Sequence, residues 1–114
     1  MHEYSIAQAL LSRIEAEAAR QGALTVHRVS IQVGESSGVE PTLLSTAYDV
    51  LRAGTCCASA ALQIELVPTR WQCPRCHAQV TQVLECETCG EPAQLLHGGE
   101  LILSRLELEV PTHV

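Results

Sequence analysis

Apolar residues switch spacing several times along this chain. Over residues 5 to 21, Ile6, Leu10, Ile14 and Ala18 recur at helical spacing with Leu11 beside them, and Arg13, Glu17 and Arg20 lie outside the stripe. That pattern predicts an amphipathic helix. Ser5 and Gln8 match an S-x-x-Q capping box at its start, and Gly22 suits the position just past its end. The stretch "LTVHRVSIQV" at 24 to 33 then alternates: Val29, Ile31 and Val33 face one way, and Arg28, Ser30 and Gln32 the other. This is the signature of a half-buried strand, and His27, sharing the parity of Val29, is predicted to pack inward. The loop "GESSGVEP" leads to Pro41, which suits the first turn of a second helix. Leu43, Leu44, Ala47, Tyr48 and Leu51 form its apolar face, and Gly54 closes it. "LQIELV", Leu62 to Val67, alternates again and stops at Pro68. Alternation returns at 100 to 110, with Ile102, Leu106, Leu108 and Val110 predicted to share one face and Arg105, Glu107 and Glu109 the other.

The order is helix, strand, helix, strand, a cysteine-bearing stretch, strand. It predicts an α+β fold: a small three-stranded sheet with two helices on one face, plus an inserted four-cysteine zinc-ribbon-like module. On this reading residues 1–68 and 99–114 form the α+β domain and residues 69–98 the module. Strand order and direction do not follow from the pattern.

Composition narrows the function. A chain of 114 residues is one domain, or one domain plus a small module. With no Phe and only Tyr4, Tyr48 and Trp71 aromatic, its core must be aliphatic. Seven Arg against thirteen acidic residues leave a formal charge of −6, a poor basis for binding nucleic acid, whose affinity comes mostly from neutralised phosphates. There is no lysine. That excludes a P-loop, which needs its Lys on the phosphates, and Schiff-base chemistry. No apolar run approaches a membrane span. The start lacks the basic and apolar regions of a secretory signal, with Glu3 where positive charge is expected. A cytoplasmic location is therefore expected, where cysteines serve as metal ligands more often than as disulfides.

Four cysteines are spaced C-x2-C-x9-C-x2-C: Cys73, Cys76, Cys86 and Cys89. Pro74-Arg75 and Glu87-Thr88 make the two turns, and Gly90 follows the second. Two facing knuckles can set four thiolates tetrahedrally about 2.3 Å from Zn(II). One C-x-x-C alone could be a redox dithiol, but two so close favour zinc. A four-cysteine site is coordinatively closed, hence structural, and thirty residues without their own core need such a staple. Filled, four thiolates and Zn(II) sum to −2, which argues further against nucleic acid. Cys56 and Cys57 are adjacent, poorly placed to share one tetrahedral ion, and read as small packed hydrophobes.

The opening "MHE" is the second candidate site. His2 has three kinds of donor at hand: the Met1 α-amine, whose reference pKa near 8 makes it a moderate ligand, its own imidazole, and the backbone amides through Glu3. Nitrogen donors in a plane suit Ni(II) or Cu(II) and not tetrahedral Zn(II). A large second residue disfavours removal of Met1. The plain alternative is a solvated histidine and a glutamate that favours the helix dipole. His77 directly follows Cys76, and His97 lies beyond the module, so either is a further ligand candidate. His113 falls in a tail expected to fray.

Nearly the whole chain resembles the HypA/HybF family of hydrogenase maturation factors. The resemblance rests on "MHEYSI" at the start, "VGESSGVEP" at 33 to 41, "GT" at 54 and 55, the paired C-x-x-C motifs and "GGELIL" at 98 to 103. Ser36, where that family often has leucine, and Ala58-Ser59, near its usual acidic-Gly pair, depart from the pattern. The resemblance implies a non-enzymatic nickel metallochaperone, with nickel bound through His2 and Glu3 and structural zinc at Cys73, Cys76, Cys86 and Cys89. It also implies a HypB-type GTPase partner, delivery to the [NiFe]-hydrogenase large subunit and, in some members, supply of urease maturation. The missing lysine fits a division in which the partner hydrolyses the nucleotide. A different class remains open from the residues alone: a zinc-ribbon protein-interaction module with no nickel site. So does a homodimer formed by exchanged elements.

Overall fold

The computed structural model describes residues 2–80, 85–86 and 88–111. Helix α1 spans His2–Arg20, strand β1 Thr25–Gly34, helix α2 Pro41–Leu51 and strand β2 Ala61–Val67. Strands β3 (Arg70–Gln72), β4 (Gln79–Val80) and β5 (Gln94–His97) follow, and β6 (Leu101–Glu109) returns. The first sheet has the order β2-β1-β6, with β1 parallel to β2 and antiparallel to β6. The architecture is the predicted one: two helices, a mixed three-stranded sheet and a four-cysteine cluster.

The core lies between the helices and one face of this sheet. Ala7, Leu10, Leu11, Ile14 and Ala18 of α1, Val26, Val29, Ile31 and Val33 of β1, and Leu44, Ala47 and Tyr48 of α2 are all buried. The Tyr48 hydroxyl donates to the Ala60 carbonyl at 2.8 Å, so burying it leaves no polar atom unmet. Cys57 is fully buried beside them, and Cys56 packs against the same cluster.

The end of α1 is locally encoded. The Ala23 N–H bonds the Ala18 carbonyl and the Gly22 N–H that of Ala19, the pairing of a Schellman cap. Its start is not. The helix begins at His2, so Ser5 sits inside it and the expected capping box is not the terminus. Its first turn is instead tied to a distant residue: the Glu40 N–H donates to Glu3 Oε2 at 3.1 Å. Glu40 in turn caps α2, accepting the Leu43 N–H at 2.7 Å, with Pro41 in the first turn as expected.

Two irregularities in the β1–β6 ladder correct the face assignments. Val26 pairs with Leu108 but Arg28 with Glu107, so His27 is an extra residue on β1. It is exposed, not packed inward, with Nε2 3.2 Å from Glu109 Oε1. Ser30 pairs with Arg105 and Ile31 with Leu103, so Ser104 is extra on β6. Each extra residue reverses parity. Leu101 and Leu103 therefore join Leu106 and Leu108 against the core, while Ile102 and Val110 are exposed.

Between β2 and β6 the cysteine stretch forms a second sheet, ordered β4-β3-β5 and antiparallel throughout. These strands of two to four residues are too short to show a period. The end of β1 is wedged where the chain leaves and re-enters. The Glu35 N–H bonds the Val67 carbonyl, the Ser36 N–H that of Gly98, and the Gly34 N–H that of Glu100. A Cβ on Gly34 would collide with the Gly98 carbonyl, so glycine is required there for close backbone approach.

Candidate metal sites

The four-cysteine cluster stands on two matched knuckles. In the first, the Cys73 N–H bonds the Ala78 carbonyl and the His77 N–H that of Cys73. In the second, the Cys86 N–H bonds the Glu91 carbonyl and the Gly90 N–H that of Cys86. The fourth residue after each leading cysteine turns the chain through positive φ: His77 at 63° and Gly90 at 70°. Glu87, predicted to share the second turn, lies outside the described residues.

The turns bring the four Sγ atoms within 4.8 Å of one another, with Cys76 and Cys86 sulfurs 3.6 Å apart. A tetrahedron with 2.3 Å metal–sulfur bonds has edges of about 3.8 Å, so the donor set fits one ion. Cys73 and Cys86 are buried, Cys89 is half-buried and Cys76 exposed. Protons are held unevenly. The Cys76 N–H, 3.5 Å from Cys73 Sγ, is the main influence lowering the Cys73 thiol to about 7. Cys89 is pushed up to about 12, first through its hydrogen bond to Cys76. A metal taking all four as thiolates displaces those protons. Among the described residues, no other His, Cys, Asp or Glu joins a metal-binding group of three or more. His77 and His97 thus stand outside the cluster, and the structure does not gather them with His2. His97, at the end of β5, lines an open cleft of about 230 Å³ with Gln32, Val67 and Leu95.

At the other end, His2 opens α1 with its side chain 60% exposed, and Glu3 beside it is buried. His2 Nε2 lies 3.1 Å from the Gly38 carbonyl oxygen and 3.3 Å from Glu3 Oε2. The Glu3 carboxyl is held below the usual carboxylate range, first by the Glu40 N–H and then by its own backbone N–H. The first N–H groups of any α-helix lack an i−4 acceptor, so the amides of His2 and Glu3 have no helical partner. Met1 and its amine lie outside the described residues, as does His113. Gly38 and Glu40 as partners of this pair were missed from the sequence, although both lie inside the quoted "VGESSGVEP".

Four sulfurs converging from paired knuckles give the donor set of a metal-binding protein, one whose centre is coordinatively closed when four thiolates hold the ion. Comparison with known proteins gives that class a family. The family described as "Hydrogenase/urease nickel incorporation, metallochaperone, hypA" matches residues 1–108. The hydrogenase maturation factor HypA of Wolinella succinogenes is 40% identical over 114 aligned positions, covering 96% of each chain. That of Aquifex aeolicus is 36% identical, over 96% of this chain and 99% of its own. The solution structure of the Ni metallochaperone HypA from Helicobacter pylori aligns at TM-score 0.74 and 25% identity, over 96% of this chain and 98% of that one. The chain belongs to the HypA family of hydrogenase maturation factors. Among its described residues, no helix is long and apolar enough to cross a membrane.

Proposed function

We propose that this chain is a cytoplasmic nickel metallochaperone that binds Ni(II) at its amino terminus. It delivers the ion, with a HypB-type GTPase, to the [NiFe]-hydrogenase large subunit. Residues 1–68 and 99–114 form the nickel-binding domain and residues 69–98 the zinc module. The nickel donors are the His2 imidazole, the backbone amides of His2 and Glu3, and the Met1 α-amine, with the Glu3 carboxylate beside them. The observation that carries this reading is the start of α1 at His2: an exposed imidazole stands next to amides that no helical carbonyl engages. A d8 ion that prefers four nitrogens in a plane can displace protons from such amides. An affinity near 1 μM, about 8 kcal/mol, holds nickel while leaving release feasible. Cys73, Cys76, Cys86 and Cys89 would hold zinc, whose contribution is a structural cross-link. The chain acts as a carrier and not an enzyme; without lysine, it leaves nucleotide hydrolysis to the partner.

Calorimetric nickel titration of the untagged protein, His2→Ala and a form extended before Met1 tests this. Both altered forms should bind far more weakly. Equal affinity in all three would sink the amino-terminal site in favour of a zinc-ribbon interaction module.

A further inference from the structure

The His2 ring nitrogens are not equivalent here. Nε2 faces two oxygens, the Gly38 carbonyl at 3.1 Å and Glu3 Oε2 at 3.3 Å. A carbonyl only accepts, and Glu3 Oε2 already accepts the Glu40 N–H, so it faces Nε2 as an acceptor too. Both neighbours therefore ask Nε2 to carry a hydrogen. In a neutral imidazole that leaves the lone pair on Nδ1.

Chelation makes this distinction matter. The backbone amide nitrogen, Cα, Cβ, Cγ and Nδ1 of one histidine close a six-membered ring around a single ion. Nε2 lies on the far side of the imidazole and cannot reach an ion held by the same residue's amide. We infer that the Gly38 carbonyl, with Glu3, is a positioning element that holds His2 in the Nε2–H form and presents Nδ1 to nickel. This rests on the amino-terminal site proposed above, and it brings in a residue 36 positions away. Gly38 has φ +79° and open space where a Cβ would stand. A side chain there meets no clash but strains the left-handed backbone, and the carbonyl shifts as the strain relaxes. Such outer partners of a ligating histidine raise metal affinity by fixing its tautomer and ring orientation.

Long-range 1H–15N correlation spectra of the metal-free, untagged protein at about pH 8, above the ordinary histidine range, read the tautomer directly. The Nδ1–H population of His2 should fall below that of the free peptide MHEYSI, and Gly38→Ala should raise it again. A ratio equal to the peptide's would overturn the inference, whatever nickel does. Nickel titration of Gly38→Ala should show affinity weakened about tenfold, with helix content and zinc stoichiometry unchanged. Planar low-spin Ni(II) is diamagnetic, so spectra of the loaded protein report the ligating nitrogen. Nδ1 should shift while Nε2 keeps its hydrogen; ligation through Nε2 would refute the assignment. Failure of His2→Ala to weaken nickel binding would instead reject the amino-terminal site itself. The two failures are therefore distinguishable.

Discussion

Glu3 Oε2 accepts the backbone N–H of Glu40 at 3.1 Å, joining the first turn of α1 to the residue that caps α2 across 37 positions of sequence. This one bond ties the first turn of α1 to the loop that supplies the Gly38 carbonyl, and the same carboxylate oxygen lies 3.3 Å from His2 Nε2.

Because the Glu40 N–H favours the ionised form, the folded-state pKa of Glu3 lies below its unfolded value. The sign follows from linkage: its stabilisation is present above the unfolded carboxylate pKa, near 4.3, and is lost as pH falls through the lower folded value. Glu3→Gln should melt below wild type near neutrality, and the gap should close in acid. Thermal melts of both proteins across pH check this; a gap independent of pH would reject it.

Cys73→Ala or Cys89→Ala should empty the cysteine site and unfold β3, β4 and β5. Structural zinc contributes on the order of 10–16 kcal/mol to such modules, far beyond what these short strands supply. The helices should persist, since the main core contains none of the four ligands. Wild type should carry one zinc per chain and these variants none, by elemental analysis, with helical circular dichroism retained. Joint loss of the helices would overturn the proposed division of the chain.

His77 and Gly90 occupy the same place in the two knuckles, and only one is a glycine. A non-glycine residue in left-handed backbone costs about 1–2 kcal/mol, against about 0.5–1 kcal/mol of extra chain entropy for glycine. His77→Gly should therefore stabilise the module by roughly 0.5–1 kcal/mol, and Gly90→Ala should weaken it by a similar amount. Thermal unfolding of the zinc-loaded proteins distinguishes the two signs. A destabilised His77→Gly would mean that the imidazole itself contributes to the module.

Burial, and then the neighbouring Cys56, push the Cys57 thiol up to about 12. The unfolded thiol titrates near 8.5, so stability is intact below that pH and falls as pH rises toward 12. One proton is worth at most about 1.4 kcal/mol per pH unit. Tyr48, also raised by burial, adds its own slope above about pH 10. In zinc-loaded protein, Cys57→Ala should flatten the stability profile between about pH 8.5 and 10. Cys57 should resist alkylation in the native state, being unexposed.

Element types and the cysteine site were legible because their signals are local. Helical spacing in α1 and α2, alternation in β1 and β2, the Pro41 start and the Gly22 stop each concern residues within a few positions of one another. So does each C-x-x-C turn. Tertiary structure decided what depends on a partner far along the chain. The order β2-β1-β6 is set by pairing across the sheet. Parity predicts a face only while the ladder is unbroken, and the extra residues His27 and Ser104 break it. That is why His27 turns to Glu109 and Ile102 to solvent. Ser5 and Gln8 match a cap because capping is read locally, yet α1 already runs from His2, and Ser5 lies within it. The sequence alone marked His2 as a donor; only the fold brought Gly38 and Glu3 to one side of its ring and so distinguished Nε2 from Nδ1.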